Sequence, residues 1–237
     1  MTATNDSPGI EAGTPSETPS ATLAAEAWMS AAGNVLRGLN HAFSNRLSAL
    51  GAVAAGLGMG HESPVTEQVD VEVTRLEQLL RLYRMLPLAG TLPPEPAQVS
   101  DAIDDAAVLY AHHFALRDVP CQVEGDPLTP PVLLNLTVLT QAVVLLICAA
   151  ARHVPEGQES TGVRLRYSGD NDFVELIAET NAAVPLAPGG PPDLAALRWM
   201  AQPAAGEASV AATPRGTVRA TLRVGTLAYL RRRERGG

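Results

Sequence analysis

Between residues 22 and 58 the large apolar side chains recur every three to four positions. Counting about 100° per residue from Leu39, Leu36, Leu39, Phe43, Leu47, Leu50, Ala54 and Leu57 fall within roughly 80° of arc. Arg37, His41, Ser44, Asn45, Ser48, Ala52 and Ala55 fall between about 140° and 240°, on the opposite face. The spacing predicts one long amphipathic helix from Thr22 to Gly58, with Gly33, Gly38 and Gly51 as weak points of ~1 kcal/mol each relative to alanine. The run Gly56-Leu57-Gly58-Met59-Gly60 ends it. Ser63-Pro64 then opens a second helix, with serine as N-cap, proline at the first helical position and Glu67 in the first turn. Its stripe is Val65, Val69, Val73, Leu76, Leu80, Tyr83 and Leu86, and Pro87 followed by Pro93-Pro94-Glu95-Pro96 closes it. Two such helices with a short loop form an antiparallel hairpin. Alone the hairpin leaves long apolar stripes uncovered, and pairing two copies into a dimeric four-helix bundle covers them. The expected dimer core includes Leu39, Phe43, Leu47, Leu50, Leu76, Leu80 and Tyr83.

Beyond the proline-rich linker the period changes. Val99 to Arg117 reads as a helix, Cys121-Gln122-Val123 as a short strand, and Leu133 to Arg152 as an apolar helix with a break near Leu136. Val163 to Tyr167 alternates, turns at Ser168-Gly169-Asp170-Asn171, and returns through Phe173 to Ala178. Asp193 to Met200 is a short helix. Thr217 to Val224 alternates, with Val218, Ala220, Leu222 and Val224 on one face and Thr217, Arg219, Thr221 and Arg223 on the other. This order is an α/β sandwich with helices on one face of a sheet, so the whole chain is α+β. The expected division is a disordered tail over 1–21, a helical hairpin over 22–90, an α/β domain over 97–228 and a solvated basic tail over 229–237.

Composition narrows the function. A length of 237 residues with 46% apolar content supports a packed core. A net charge of −8 argues against a nucleic-acid partner, because neutralising phosphates needs a basic surface. Cys121 and Cys148 lie far apart with no metal-ligand spacing and read as buried hydrophobes of a reducing compartment. The N-terminus has no signal-peptide pattern. Val132 to Ala151 is apolar enough to raise a membrane span, but its Asn135, Thr137, Thr140 and Gln141 make it a buried core helix. The expectation is a cytoplasmic protein without membrane contact.

Chemistry concentrates at His41. It lies off the apolar stripe with Asn45 one turn later and small side chains below, a smooth face suited to docking. The other histidines offer less: rings of the adjacent His112 and His113 point about 100° apart on a helix and cannot chelate one metal, His61 is in the hairpin loop, and His153 ends a helix. The sequence has no Ser/His/Asp set, Walker loop or zinc spacing.

The pattern His41-x-x-x-Asn45-x-Leu47, followed by a second helix and an α/β segment, resembles the dimerisation and phosphotransfer region of bacterial sensor histidine kinases, and more closely the dimeric histidine phosphotransferases derived from them. The resemblance implies that His41 carries a phosphoryl group and that Asn45 orients a phosphoryl oxygen, or a water for dephosphorylating the partner. It implies response-regulator receiver domains as partners, docking on Arg37, Ser44, Ser48, Ala52 and Ala55 and bringing their own Mg²⁺, so that the chain needs no cofactor or metal of its own. Residues 97–228 are similar in element order to the kinases' ATP-binding domain in degenerate form. Leu145 and Ala149 stand at its asparagine positions, Glu179 at its adenine-binding acid, Asn181 and Ala183 in place of two glycines, and only Gly216-Thr217 keeps a late glycine box. Leucine and alanine hold no Mg²⁺, and a phosphate loop needs glycines. Ala42 replaces the acidic residue that usually follows the histidine, which also argues against autokinase activity. The sequence thus supports a phosphotransferase acting through His41 without ATP, with a non-catalytic dimeric adaptor or an Asn45-dependent receiver phosphatase as the alternative.

Overall fold

The computed structural model describes residues 21–58, 65–89, 92–155, 157, 161–181 and 191–236. The expected N-terminal tail apart from Ala21, which begins α1, the Met59-Gly60 helix end, His61, the Ser63-Pro64 cap and Ala183 lie outside the described residues. The chain forms α1 (Ala21–Gly58), α2 (Val65–Arg84), β1 (Pro96–Ala97), α3 (Val99–Ala111), β2 (Cys121–Gly125), β3 (Val132–Leu133), α4 (Leu136–Ala151), β4 (Val163–Gly169), β5 (Phe173–Thr180), α5 (Asp193–Ala201), β6 (Glu207–Ala212), β7 (Val218–Gly225) and α6 (Leu227–Gly236). This is the α+β architecture expected: a helical hairpin, then a helix-covered sheet.

The five-stranded sheet has the order β2-β4-β5-β7-β6. Only β2 and β4 pair in parallel; the other neighbours are antiparallel. Alternation fixes its two faces. Val163, Leu165, Val174, Leu176, Ala178, Val218, Ala220, Leu222 and Val224 point inward and are buried. The outward face is charged: Arg164 meets Glu124 at 3.4 Å, and Arg166 and Arg219 meet Glu179 at 3.3 and 3.0 Å. The β4–β5 turn is held by Asp170, whose Oδ1 accepts from the backbone N–H groups of Asp172 and Phe173 at 2.7 and 2.8 Å.

The apolar helix α4 is buried throughout from Val138 to Ala151. Among the described residues no helix is long and apolar enough to cross a membrane. It starts three residues later than the apolar run suggests. Val132 and Leu133 pair with Ala97 and Pro96 as strand, and the Asn135 side chain accepts from the Thr137 N–H at 3.0 Å as N-cap. Two further elements escape the sequence pattern. β6 is a small-residue edge strand, and the basic end is helical, with Leu230 buried although residues 231–236 are exposed.

The hairpin is placed differently from expectation. The first half of α1 packs on α5 and α4. Ala24, Ala27, Trp28, Ala31, Val35 and Leu39 form a buried seam with the α/β body, whereas Leu36 and Leu47 of the expected stripe are 38% and 51% exposed. In α2 the inward residues are Leu79 and Leu82, followed by Met85 just beyond its end, while Val73 and Leu80 are 42% and 47% exposed. Leu39, expected in a dimer core, is instead fully buried inside the protomer.

Polar contacts close the base of the hairpin and tie it to the body. The Trp28 indole donates to the Leu86 carbonyl at 2.8 Å. Buried Gln141 of α4 donates to the Met85 and Pro87 carbonyls at 2.8 and 2.7 Å and accepts from the Ala89 N–H at 3.2 Å. An apolar replacement strands several backbone groups at once, each costing about 1–3 kcal/mol when buried without a partner. Gln141→Leu is therefore expected to lower unfolding free energy by about 3 kcal/mol in urea titrations; a loss below about 1 kcal/mol would show that water or rearrangement replaces the amide.

Candidate functional site

The geometry around His41 starts from a glycine. α1 passes over the C-terminal end of α3 at Gly38, where an added Cβ would come within 1.9 Å of the His112 carbonyl oxygen. Only glycine lets the two backbones approach so closely. The contact continues along α1. The Phe114 N–H donates to the Asn34 carbonyl at 3.2 Å, and the Arg37 and Arg117 guanidinium carbons lie 5.0 and 5.2 Å from the centre of the Phe114 ring. Arg37, expected on a free docking face, is thus engaged within the chain.

One turn beyond Gly38, His41 is exposed and lines a cavity of about 180 Å³. Asn45, Ala42 and Arg46 contribute the α1 side of that cavity, and Ala111, His112 and Arg117 the other. Arg46 is held from behind: it meets Glu72 of α2 at 3.4 Å, and Arg75 meets the same carboxylate at 2.5 Å. Glu72 is itself buried. Asn40, beside His41, accepts a short hydrogen bond from the Tyr83 hydroxyl, and Tyr83 packs edge-on to Phe43 at 6.4 Å. These links fix the register of α2 against the part of α1 that bears the histidine. Toward the end of α1, Ser44, Ser48, Ala52 and Ala55 are all exposed, and the Ser48 hydroxyl is turned back onto the Ser44 carbonyl at 3.0 Å. The face therefore presents small side chains with little projecting polarity.

The sequence did not connect Gly38, His112 or Arg117 with His41. Gly38 looked like a weak point in a helix. Its placement off the apolar stripe, one turn before His41, was the available sign of a close approach.

The corner after α3 is stabilised by His113, which is fully buried. Its Nδ1 accepts from the Leu116 N–H at 3.1 Å, and its ring stacks with Tyr110 at 6.4 Å. Burial, aided by the nearby Arg152 charge, pushes its pKa down to about 4. Burial likewise lowers that of His112. Arg152 is tied to the fully buried Asp193 at 2.8 Å.

The positions compared with a nucleotide site are otherwise employed. Leu145 and Ala149 are fully buried in the core. Glu179 points to the open face of the sheet, not toward the helices: Thr217 donates to it at 2.9 Å and Arg219 and Arg166 pair with it. Burial works to raise its carboxyl, but the Thr217 hydroxyl and these guanidinium groups outweigh it and hold it below the usual range. The inward-facing neighbour is Thr180, which is buried and accepts from the Val218 N–H at 2.9 Å.

No family model matches the chain, and no curated protein matches it. Among solved structures it is similar to the catalytic domain of histidine kinase ThkA, at 13% identity over 57% of this chain and 97% of that one, with a TM-score of 0.47. It is similar to a histidine kinase from Burkholderia phymatum at 15% identity over 77% of this chain and 97% of the other, TM-score 0.46. A third similarity is to the Acinetobacter baumannii histidine kinase AdeS, at 16% identity over 79% and 98%, TM-score 0.45.

The buried His113 gives folding stability a specific pH dependence. A histidine with a folded pKa below its unfolded value stabilises fully above about pH 6.5 and loses that contribution as pH falls toward 4. About 2 kcal/mol should disappear between pH 7 and pH 5. Urea unfolding at the two pH values should show this loss in the wild type and a smaller one in His113→Leu; equal losses in both would assign the acid sensitivity to other groups.

Proposed function

We propose that the chain is a histidine phosphotransfer protein, with His41 exchanging a phosphoryl group with the aspartate of response-regulator receiver domains. The observation that carries this reading is an exposed imidazole set above a run of exposed small residues, Ser44, Ser48 and Ala52, which lets a partner approach the ring closely. A neutral imidazole nitrogen is a competent nucleophile near neutral pH. The partner's acyl phosphate would come with its own Mg²⁺, so this chain has mainly to position the ring. Asn45 lines the same cavity as His41. That supports a second activity at the same place, orientation of a water against the partner's acyl phosphate.

ATP has no part in this reading. Leu145 and Ala149 offer no oxygen to Mg²⁺, and Glu179 is consumed by Thr217, Arg219 and Arg166. A homodimer does have a part. Leu36, Leu47, Val73 and Leu80 are 38%, 51%, 42% and 47% exposed along the two hairpin helices, and an apolar face of this kind marks an association surface. A second copy of the hairpin matches it, because the stripe runs lengthwise on both helices.

Two variants separate transfer from simple docking. His41→Gln is expected to abolish phosphoryl transfer from a phosphorylated receiver while leaving receiver affinity within about threefold, since the ring adds little contact area. Ala52→Arg should block docking and transfer together with the fold intact. An adaptor role would be indicated if His41→Gln left every activity unchanged and only the arginine mattered. For assembly, Leu47→Glu with Leu80→Glu is expected to convert a dimer into a folded monomer in analytical ultracentrifugation. A wild type that sediments as a monomer at micromolar concentration would remove the dimer.

A further inference from the structure

We propose that the α/β body completes the His41 site, with Arg117 as the residue that contacts the phosphoryl group. This inference rests on the phosphoacceptor reading of His41 and deepens it. The body does not merely cover one end of the hairpin. Through the Gly38–His112 approach it brings a guanidinium of its own to the cavity that His41 and Asn45 line from α1.

Three arginines stand near the ring, and their partners distinguish them. Arg46 is spent on Glu72, a buried carboxylate that also holds Arg75. Arg37 is stacked on Phe114 and does not line the cavity. Arg117 lines it, and its ion pair is a loose 3.9 Å contact to Asp118, a neighbouring side chain that is 95% exposed. It lies against the Phe114 ring, whose backbone is tied to α1 by the Phe114–Asn34 hydrogen bond. A guanidinium so held keeps its fork of donors for an anion. The 180 Å³ cavity has room for the three oxygens of a phosphoryl group, since a water takes roughly 30 Å³ of liquid volume.

The chemistry needs one cation there. As the imidazole nitrogen attacks, its lone pair forms the P–N bond and the P–O bond to the donor's aspartate breaks, its electron pair leaving with the carboxylate. The ring's other nitrogen releases its proton to water, and the dianionic phosphoryl group remains on His41. Charge on the three transferring oxygens is what a preorganised guanidinium stabilises. The partner's Mg²⁺ leaves with the receiver, and Arg117 stays with the phosphohistidine. It should therefore affect both the rate of formation and the lifetime of the product.

The test uses the full chain and a small donor, potassium phosphoramidate, so that it does not depend on a partner. Here the P–N bond of the donor breaks as the bond to His41 forms, and ammonia leaves as ammonium with the ring proton. Phosphorylation at residue 41, followed by tandem mass spectrometry, should be about tenfold or more slower in Arg117→Ala, with Arg117→Lys in between. Thermal melting should match the wild type in both. Phe114→Leu, which removes the ring that Arg117 lies against but keeps the guanidinium, should lie between wild type and Arg117→Ala. Equal labelling rates in wild type and Arg117→Ala would overturn the assignment, and so would a wild type not labelled at residue 41. Failure of the function itself reads differently: phosphoramidate would still label His41 at an Arg117-dependent rate, but no phosphorylated receiver would.

Discussion

The structure depends on the need to cover α4. This helix is buried around its whole circumference, every residue from Val138 to Ala151 included. A helix of that kind has no solvent side and must be enclosed. The inward faces of β5 and β7 enclose it from below, and α3 and α5 pack along its flanks. The first half of α1 supplies the remaining cover. Each large side chain removed from water in this way contributes about 1.5–3 kcal/mol. Enclosure of α4 thereby draws the hairpin onto the α/β body as part of one continuous core. Gln141, the polar residue at the edge of that enclosure, is satisfied by the backbone of the chain leaving α2.

Placing α1 by its N-terminal half has consequences one turn later. The seam of Ala24, Ala27, Ala31 and Val35 uses small residues, so the helix lies close to the body and passes directly over the end of α3. Gly38 makes that passage possible, and His112, Phe114 and Arg117 come with it. Beyond that crossing α1 separates from the body and carries Ser44, Ser48 and Ala52 exposed. His41 stands at the boundary, between a region that belongs to the core and a region open to a partner. The cavity it lines is built from both sides of that boundary.

The sequence shows the strands well because their side chains alternate between large apolar and charged residues. β7 is the clearest case, with Val218, Ala220, Leu222 and Val224 inward as the period requires. β6 was invisible because Ala208, Ala211 and Ala212 carry too little contrast to display a period. The length of α1 was legible to within one residue, but its buried face was not. A stripe counted on leucines selects Leu36 and Leu47, whereas half of the seam that packs is alanine, whose value lies in close approach rather than bulk. Glu179 shows a second limit. A one-residue difference in register moves a strand side chain to the other face, and Glu179, which the motif comparison sets at the position of an adenine-binding acid, points to Arg219 and Arg166 on the open face of the sheet. His41 itself was legible as a histidine off the apolar stripe. Its neighbours from the α/β body were not, because they lie some seventy positions away in the chain and meet it only through the Gly38 crossing.

The function proposed for the chain requires that His41 accept phosphate from a receiver. The direct measurement is to mix the full chain with receiver domains charged by acetyl phosphate, quench in base, and locate the transferred phosphoryl group by tandem mass spectrometry. A single base-stable phosphoryl group on residue 41, lost on mild acid treatment as a phosphoramidate bond requires, is the predicted result. Phosphate on any other residue, or none on the chain with receivers that bind it, would contradict the account.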